Sequence, residues 1–188
     1  NCRGLTEVTI GNSVTSIGKR AFYGCDVLTS IAVEEGNVVY DSRENCNAII
    51  ETATNNLIVG CKNSIIPNSV TSIGNSAFAN CSSLTSISLP ESVTEIEKYA
   101  FSKCSKLKHV VLSKNLSKIE EALFWQCTSL ESIEIPYGVT EIGAAAFLEC
   151  SSLRQVVIPN TVAKLNATYN IIVNQETLAG LQNPSNGE

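Results

Sequence analysis

The stretch SAFANCSSLTSISLP, residues 76–90, recurs with small changes along the chain and decides the fold. Its phenylalanine is the first of four that lie 23 residues apart: Phe78, Phe101, Phe124 and Phe147. A cysteine follows each phenylalanine three residues later, at Cys81, Cys104, Cys127 and Cys150. Three residues further on stand Leu84, Leu107, Leu130 and Leu153. The chain is therefore built from a 23-residue repeat.

The first part of the chain follows the same frame. Leu5 and Val8 stand at strand positions, and Phe22 and Cys25 stand at the phenylalanine and cysteine positions. Phe22 lies 56 residues before Phe78, which corresponds to one repeat of 23 residues and one of 33. One module is therefore ten residues longer than its neighbours.

A period of about 20 to 29 residues that contains L-x-x-L-x-L is typical of a leucine-rich-repeat solenoid, in which each coil buries its apolar side against the next. In Leu84-x-x-Ile87-x-Leu89 the alternation places Ile87 inward and Ser88 outward, as in a half-exposed strand. We therefore predict parallel strands that begin at Leu5, Leu28, Cys61, Leu84, Leu107, Leu130 and Leu153.

The second half of each repeat, from Val93 to Phe101 for example, has apolar spacings of three and four. Such spacing predicts a helical or 3₁₀ turn on the side opposite the sheet. The predicted fold class is an α/β repeat: a leucine-rich-repeat solenoid with a parallel sheet on one face and short helical or 3₁₀ turns on the other. We assign the solenoid to residues 1–165, and residues 166–188 to an irregular C-terminal cap and tail, because the periodicity stops after Leu165.

Equivalent positions of a solenoid stack on one another, and cysteine suits such a ladder because it is small, apolar and readily buried. Six cysteines are predicted to be buried free thiols of this ladder: Cys2, Cys25, Cys81, Cys104, Cys127 and Cys150. Cys46 and Cys61 lie outside it, in the long module at about residues 34–66. Residues 38–60 are predicted to form a hairpin that turns near residues 53–56. Either the hairpin brings Cys46 and Cys61 into a disulfide, or Cys61 is a core residue aligned with the first leucine of the repeat.

The pattern AF-x-x-C-x-x-L-x-x-I-x-L-P-x-x-V-x-x-I resembles the BspA-like leucine-rich repeats of bacterial surface proteins of the Bacteroides type. The resemblance covers residues 2–165, and residues 38–70 resemble the longer modules of such proteins from gut Bacteroides. It implies a cell-surface or secreted location and adhesion to host proteins, extracellular-matrix proteins among them, or to other microbes. Fold similarity alone does not establish function.

Composition excludes several classes of partner. The net charge is −5, and no run of Lys or Arg exceeds two residues, so nucleic acid is not expected as a partner. No apolar stretch approaches the roughly 20 residues that span a bilayer, so no membrane insertion is expected within this chain. The chain contains no Met and no signal-peptide pattern, and we expect it to be a mature or excised fragment whose export signal lies outside it.

The residues give no sign of catalysis. His109 is the only histidine and falls at an outward strand position, so a site that needs several histidines is excluded. The sequence has no C-x-x-C, no phosphate-binding glycine loop and no recurring pair of carboxylates. We therefore predict a protein that is not an enzyme, with no catalytic residues, cofactor or metal.

Two surfaces are candidates for binding. The first is the predicted concave strand face, which carries Glu7, Thr9, Ser30, Ser86, Ser88, His109, Val111, Ser132, Glu134 and Gln155. Its side chains are small and polar, so it is either a contact surface or simply a solvated sheet. The second is an aromatic ridge of Tyr23, Tyr99 and Trp125, which either contacts a partner or is partly buried between coils. The predicted function is non-enzymatic recognition or adhesion, and the alternative is a structural spacer that presents a domain outside this chain.

Overall fold

The structure, a computed structural model, describes residues 2–166. This part of the chain forms a β-solenoid of the leucine-rich-repeat type, with about seven turns of roughly 23 residues. Its strands are β1 (Glu7–Ile10), β2 (Ser30–Val33), β3 (Tyr40–Asp41), β4 (Ala48–Glu51), β5 (Asn56–Gly60), β6 (Ser72–Ile73), β7 (Ser86–Ser88), β8 (Glu95–Ile96), β9 (His109–Val111), β10 (Lys118–Ile119), β11 (Ser132–Glu134), β12 (Glu141–Ile142), β13 (Gln155–Val157) and β14 (Lys164–Leu165).

Two parallel ladders run along the solenoid. The first contains the L-x-x-I-x-L segments and pairs β1 with β2, β7 with β9, and β11 with β13. The second pairs β6 with β8, and β12 with both β10 and β14. In the regular coils each residue pairs with the residue 23 positions later, as Ile87 does with Val110. The stacking of like positions that the sequence predicts is therefore confirmed.

The predicted helical face is wrong. Within the described residues the one helical segment is a 3₁₀ turn, Arg43–Asn45, and it lies in the long module. The segment after Val93, for which spacings of three and four suggested a helix, contains strand β8 instead. The structure is therefore a β-solenoid and not an α/β repeat.

Consecutive tight turns take the place of the helix. The amide of Cys81 donates to the carbonyl of Phe78, and the amide of Leu84 donates to the carbonyl of Cys81. Between such turns the backbone is left-handed, with φ of 59° at Ser76 and 62° at Asn80. A left-handed residue turns the chain out of the right-handed path, so a helix cannot continue through it.

The turn side of the solenoid is hydrogen-bonded between coils. The amide of Phe78 donates to the carbonyl of Ala100 at 2.8 Å, and the amide of Phe124 donates to the carbonyl of Ala146 at the same distance. Buried backbone groups need partners. Here the neighbouring coil supplies the partners that a helix would have supplied within itself.

The long module forms an antiparallel hairpin. β4 pairs with both β3 and β5, and β5 joins the second ladder by parallel pairing with β6. The chain reverses at residues 52–55, within the stretch for which the sequence predicts a hairpin. Ala48 and Ile50 pack into the core of the later coils, whereas Ile49 packs into the core of the first two. The hairpin is therefore a partition with both faces buried.

The prediction of seven strands in one parallel sheet is only partly correct. Six of the strands form, but they pair in twos and not as one continuous sheet. No strand begins at Cys61, because β5 ends at Gly60 in antiparallel pairing with β4. The amide of Cys61 then donates to Ser64 Oγ at 2.8 Å, and the chain turns.

The phenylalanine ladder forms the centre of the later coils. Phe78, Phe101, Phe124 and Phe147 are buried, and their rings stack in sequence with centroids 5.2, 5.6 and 5.7 Å apart. Phe22, at the same repeat position, is only half-buried. The regular part of the ladder therefore begins at Phe78.

The cysteine ladder is hydrogen-bonded as well as packed. Cys104 Sγ lies 3.1 Å from the carbonyl oxygen of Phe78, and Cys127 Sγ lies 3.1 Å from that of Phe101. Each thiol thus donates to the preceding coil, and all of the cysteines are free, as the sequence predicts for the ladder. A thiol at this position fills a small space and supplies a weak donor.

Three of the cysteine predictions need correction. Cys2 is exposed and Cys25 is only half-buried, because no described residue stacks on the outer side of the first coil. Cys46 and Cys61 do not form a disulfide. Cys46 packs in the core of the later coils and Cys61 in the core of the first two, so the hairpin keeps the two thiols in separate cores. The predicted cap and tail fall almost entirely outside the described residues.

Candidate functional site

The predicted strand-face residues lie on the outward side of the first ladder. Ser30 is half-buried, and the rest are exposed: Glu7, Thr9, Ser86, Ser88, His109, Val111, Ser132, Glu134 and Gln155. The register places Ser88 beside Val111, and Ser132 beside Gln155. The structure therefore brings these residues together in small groups, one for each pair of strands.

Apolar exposure on the strand face is slight. Val111 is 59% exposed and Val157 is 47% exposed, and they lie on different strand pairs. Single exposed valines are common on protein surfaces and do not mark an interface. The strand face therefore offers polar contacts but no large apolar anchor.

The turn side carries a row of contacting side chains, which we call the turn ridge: Arg20, Tyr23, Lys103, Trp125 and Glu149. Lys103 Nζ lies 3.4 Å from Tyr23 Oη and 4.9 Å from the centroid of the Trp125 ring. The Arg20 guanidinium lies 5.8 Å from the Tyr23 ring centroid. At the other end Trp125 Nε1 donates to Glu149 Oε1 at 3.3 Å. The structure thus links Tyr23 to Trp125 through Lys103.

Hydrogen bonding tunes the charges along the turn ridge. The neighbouring Asn80 amide is the main cause of a lowered pKa at Tyr23. Donation from Gln126 and then from Trp125 lowers the pKa of the Glu149 carboxyl. Glu149 is therefore ionised at neutral pH, and the ridge presents both a cation and an anion beside its aromatic rings.

Tyr99 belongs to a separate network. Its hydroxyl donates to Glu121 Oε1 at 3.1 Å, and Lys98 Nζ lies 2.9 Å from Glu121 Oε2. The bond to Glu121 raises the pKa of Tyr99, and the bond from Lys98 lowers the pKa of Glu121. The hydrogen bonds of Tyr99 therefore hold it to this carboxylate and not to the turn ridge.

The described residues do not assemble a site for covalent or metal chemistry. Within residues 2–166 no three His, Cys, Asp or Glu side chains cluster as metal ligands, and His109 is exposed on β9. Burial raises the pKa of Cys81 and of Cys150 to about 12. These thiols stay protonated at neutral pH and are poor nucleophiles. No helix in this range has the length and apolar character of a membrane span.

Sequence reasoning named Tyr23 and Trp125 but missed Lys103, which joins them. Lys103 directly precedes, by one coil, the repeat position next to Trp125, and it could have been found by aligning the repeats. Its reach to Tyr23, 80 residues away, depends on the long module, which has no Phe-x-x-Cys turn of its own. Ala79, the ridge position of the intervening coil, is also too small to separate them.

Known proteins share this repeat. The BspA type leucine rich repeat region matches in six copies, over residues 1–53 and 49–170. No curated protein matches the chain in sequence.

Several solved structures share the fold. A leucine-rich cell surface protein from Faecalibacterium prausnitzii A2-165 is 27% identical, with a TM-score of 0.73 over 96% of this chain and 52% of its own. A leucine-rich repeat protein from Bacteroides ovatus ATCC 8483 is 29% identical, with a TM-score of 0.63 over 87% of this chain and 40% of its own. The pneumococcal vaccine antigen PcpA, 19% identical, shares the fold with a TM-score of 0.70 over 88% of this chain and 46% of its own. The chain therefore spans about half of these structures or less.

Proposed function

The chain belongs to the BspA-type leucine-rich-repeat family, and we propose that it is a non-enzymatic recognition module, exposed on a cell surface or secreted, that binds a protein partner through the turn ridge. The similar protein from Faecalibacterium prausnitzii is described as a cell surface protein, which supports this location. The single observation that carries the proposal is the contact of Lys103 with both Tyr23 and Trp125.

The composition of the turn ridge fits a protein interface. Trp, Tyr and Arg are the residues most enriched among interface hot spots, and the ridge contains Arg20, Tyr23 and Trp125. The aromatic side chains are partly exposed, so a partner can cover them without any unfolding of the coils. Lys103 and Glu149 hold the Trp125 ring in place, which lowers the entropy that binding must remove.

The strand face is the competing contact surface. Its residues converge from successive coils, as in many solenoid proteins, but they are small and lack aromatic rings. Such side chains contribute through many weak contacts, so any one substitution has a small effect. The same small side chains favour the second candidate function, a structural spacer that presents a domain outside this chain.

The test is binding of the isolated chain to immobilised fibronectin and fibrinogen by surface plasmon resonance, because the family resemblance suggests matrix proteins. We expect Trp125→Ala to weaken binding by about 30-fold, the effect of losing a hot spot of about 2 kcal/mol. Glu134→Ala and His109→Ala, on exposed strand positions, are the controls and should each change binding by about twofold or less.

Two outcomes would contradict the ridge proposal. If the control substitutions weaken binding as much as Trp125→Ala does, the strand face is the contact surface. If the wild-type chain binds neither protein while circular dichroism shows it folded, the spacer function is preferred.

A further inference from the structure

The long module leaves a gap on the turn side of the solenoid. Phe22 and Phe78 lie two coils apart, and the module between them has no Phe-x-x-Cys turn, because its residues form the hairpin instead. The space that this turn would fill is a cavity of about 240 Å³. Its walls come from residues 17–28 on one side and residues 74–81 on the other, with strand β5 between them.

The floor of the cavity is closely packed. Gly60 lies against the ring of Phe78, and a Cβ atom at Gly60 would come within 2.1 Å of that ring. Ala77 and Cys81 line the adjacent wall, and both are buried. The Phe78 ring therefore rests on Gly60 and seals the ladder behind it, so the cavity is a bounded recess and not a continuous channel into the core.

The cavity has equal numbers of charged groups of each sign. Lys19 and Arg20 lie on the first-coil side, and Glu51 and Glu97 lie on the hairpin and later-coil sides. None of the four takes part in an ion pair with another residue of the described range. The ionisable lining therefore has no net charge, although it offers both donors and acceptors.

Two side-chain amides in the wall have unused hydrogen-bonding capacity. Asn56 Oδ1 is buried and accepts no hydrogen bond from any residue between 2 and 166. Asn80 Nδ2 is also buried without a well-aligned partner in that range, although it lies close enough to Tyr23 to lower the pKa of the phenol. A buried polar group without a partner costs about 1 to 3 kcal/mol, so each is better satisfied when a polar ligand is bound.

We propose that this cavity is a binding site for one neutral sugar residue. Each sugar hydroxyl both donates and accepts, which matches a wall that presents an unused acceptor at Asn56 and an unused donor at Asn80. Tyr23 contributes an aromatic ring and a hydroxyl at the mouth. The cavity lies just below the usual range for drug-sized ligands, about 300 to 1,000 Å³, so a single ring fits better than a larger molecule.

Other small ligands match less well. An apolar peptide side chain would bury Asn56 Oδ1 still unpaired, and a strongly charged group would meet as many like charges as opposite ones. The sugar may be free or may be the end of a longer glycan, since both present the same hydroxyls. The proposal stands apart from protein binding by the turn ridge, because it depends on the cavity and not on Trp125.

A matched pair of substitutions tests the site. Residues Tyr23, Ala79, Trp125 and Leu148 share one repeat position, and the Trp125 ring leans towards Lys103 in the preceding coil. In Ala79→Trp the introduced indole would lean in the same way, into the cavity, because the preceding module has no turn there. Leu148→Trp places the same side chain at the same repeat position away from the cavity and is the control.

The measurement is a titration of the ¹⁵N-labelled chain with galactose and with N-acetylglucosamine, followed through the amide signals of Gly60 and Gly74, which line the cavity. We expect saturable shifts of these signals with a millimolar Kd, which suits a ligand of about a dozen non-hydrogen atoms. Ala79→Trp should abolish the shifts and Leu148→Trp should keep them. Immobilised oligosaccharides that end in the same sugars separate a glycan terminus from a free sugar.

A second variant keeps the test valid if Ala79→Trp does not fold, as judged by circular dichroism. Asn56→Ala removes the unused acceptor and should weaken binding by about tenfold without loss of the fold. The proposal is overturned if neither sugar shifts the Gly60 and Gly74 signals, or if folded Ala79→Trp binds as well as Leu148→Trp. Preference for an acidic sugar or for a peptide at the same signals would overturn the ligand class.

Discussion

The first coil and the later coils carry the same repeat signature but differ in how deeply they bury it. Phe101 is fully buried between the rings of Phe78 and Phe124, whereas Phe22 is half-buried. Cys104 is buried and bonded to the preceding coil, whereas Cys25 is half-exposed. The burial of a repeat position therefore depends on what stacks on each side of it and not on its own residue.

The hairpin is the cause of part of this difference. It places Ile49 in the core of the first coils and Ile50 in the core of the later coils, so the two regions share a wall but not a ladder. Phe78 meets Gly60 of that wall where another phenylalanine would otherwise stack. The later coils are thus a continuous ladder, and the first coils are a smaller core attached to its end.

The largest effect expected from this comparison is at the phenylalanine position. Phe101→Ala should lower the free energy of unfolding by about 3 to 5 kcal/mol, because it leaves a large cavity between two coils. Phe22→Ala should cost only about 1 to 2 kcal/mol, because the ring is already half-exposed. Urea denaturation of both variants measures the difference, and equal losses would show that the first coil is as tightly packed as the later ones.

The buried thiols should make the later coils sensitive to alkali. Unfolded thiols ionise near about pH 8.5, whereas burial raises the pKa of Cys81 and of Cys150 to about 12. Between these values the unfolded state loses protons that the native state keeps, so stability falls as the pH rises. The expected slope is about 1.4 kcal/mol per pH unit for each buried thiol.

Denaturation at a series of pH values above about 8.5 checks this slope. Cys150→Ala should remove one thiol's share of it, whereas Cys2→Ala, at an exposed position, should leave it unchanged. An unchanged slope in Cys150→Ala would mean that lysine and tyrosine titration alone causes the alkaline loss.

The contact between the hairpin and the ladder should be sensitive to one methyl group. Gly60→Ala places a Cβ within 2.1 Å of the Phe78 ring, so the ring or strand β5 must move. We expect a loss of about 1 to 3 kcal/mol in the free energy of unfolding, typical of an overpacked core. At Gly11 a Cβ would meet only Glu34 Oε2, at 3.7 Å, so Gly11→Ala is the control and should be nearly neutral. Equal stability of the two variants would show that the partition yields easily.

The smallest effects are expected on the strand face. Ser88 is exposed on β7, and Ser88→Ala should change stability by no more than about 0.5 kcal/mol. Ser113 is fully buried and its Oγ accepts from the amide of Asn115, so Ser113→Ala should cost about 1 kcal/mol. If thermal denaturation gives the reverse order, the inward and outward positions have been assigned wrongly.

The binding surfaces could be predicted only in part. The repeat frame correctly puts Ser88 and His109 on the outward side of the sheet, because alternation along a strand is a local property. It cannot foresee that Lys103 reaches Tyr23, because that contact crosses the long module. The cavity leaves a trace in the sequence, as the missing phenylalanine between Phe22 and Phe78, but its lining depends on how the hairpin packs.

The sequence by itself determined the period, the register of the coils and the residues that form each ladder. A position such as Phe101 can stack only on its own copy, since every coil has the same length, and the spacing therefore specifies the neighbours. The sequence also located the module that departs from the frame, because ten additional residues cannot be absorbed by a regular coil.

The tertiary structure alone decided how each coil turns and how the long module is used. Spacings of three and four fit both a helix and a series of tight turns, and neither Tyr99 nor Ala122 favours the left-handed backbone that it adopts. Amide bonds to the next coil, such as that from Tyr99 to Glu121, compensate for that conformation. These bonds exist only when coils stack, so the turns, the partition and the cavity are properties of the assembled solenoid and not of any single repeat.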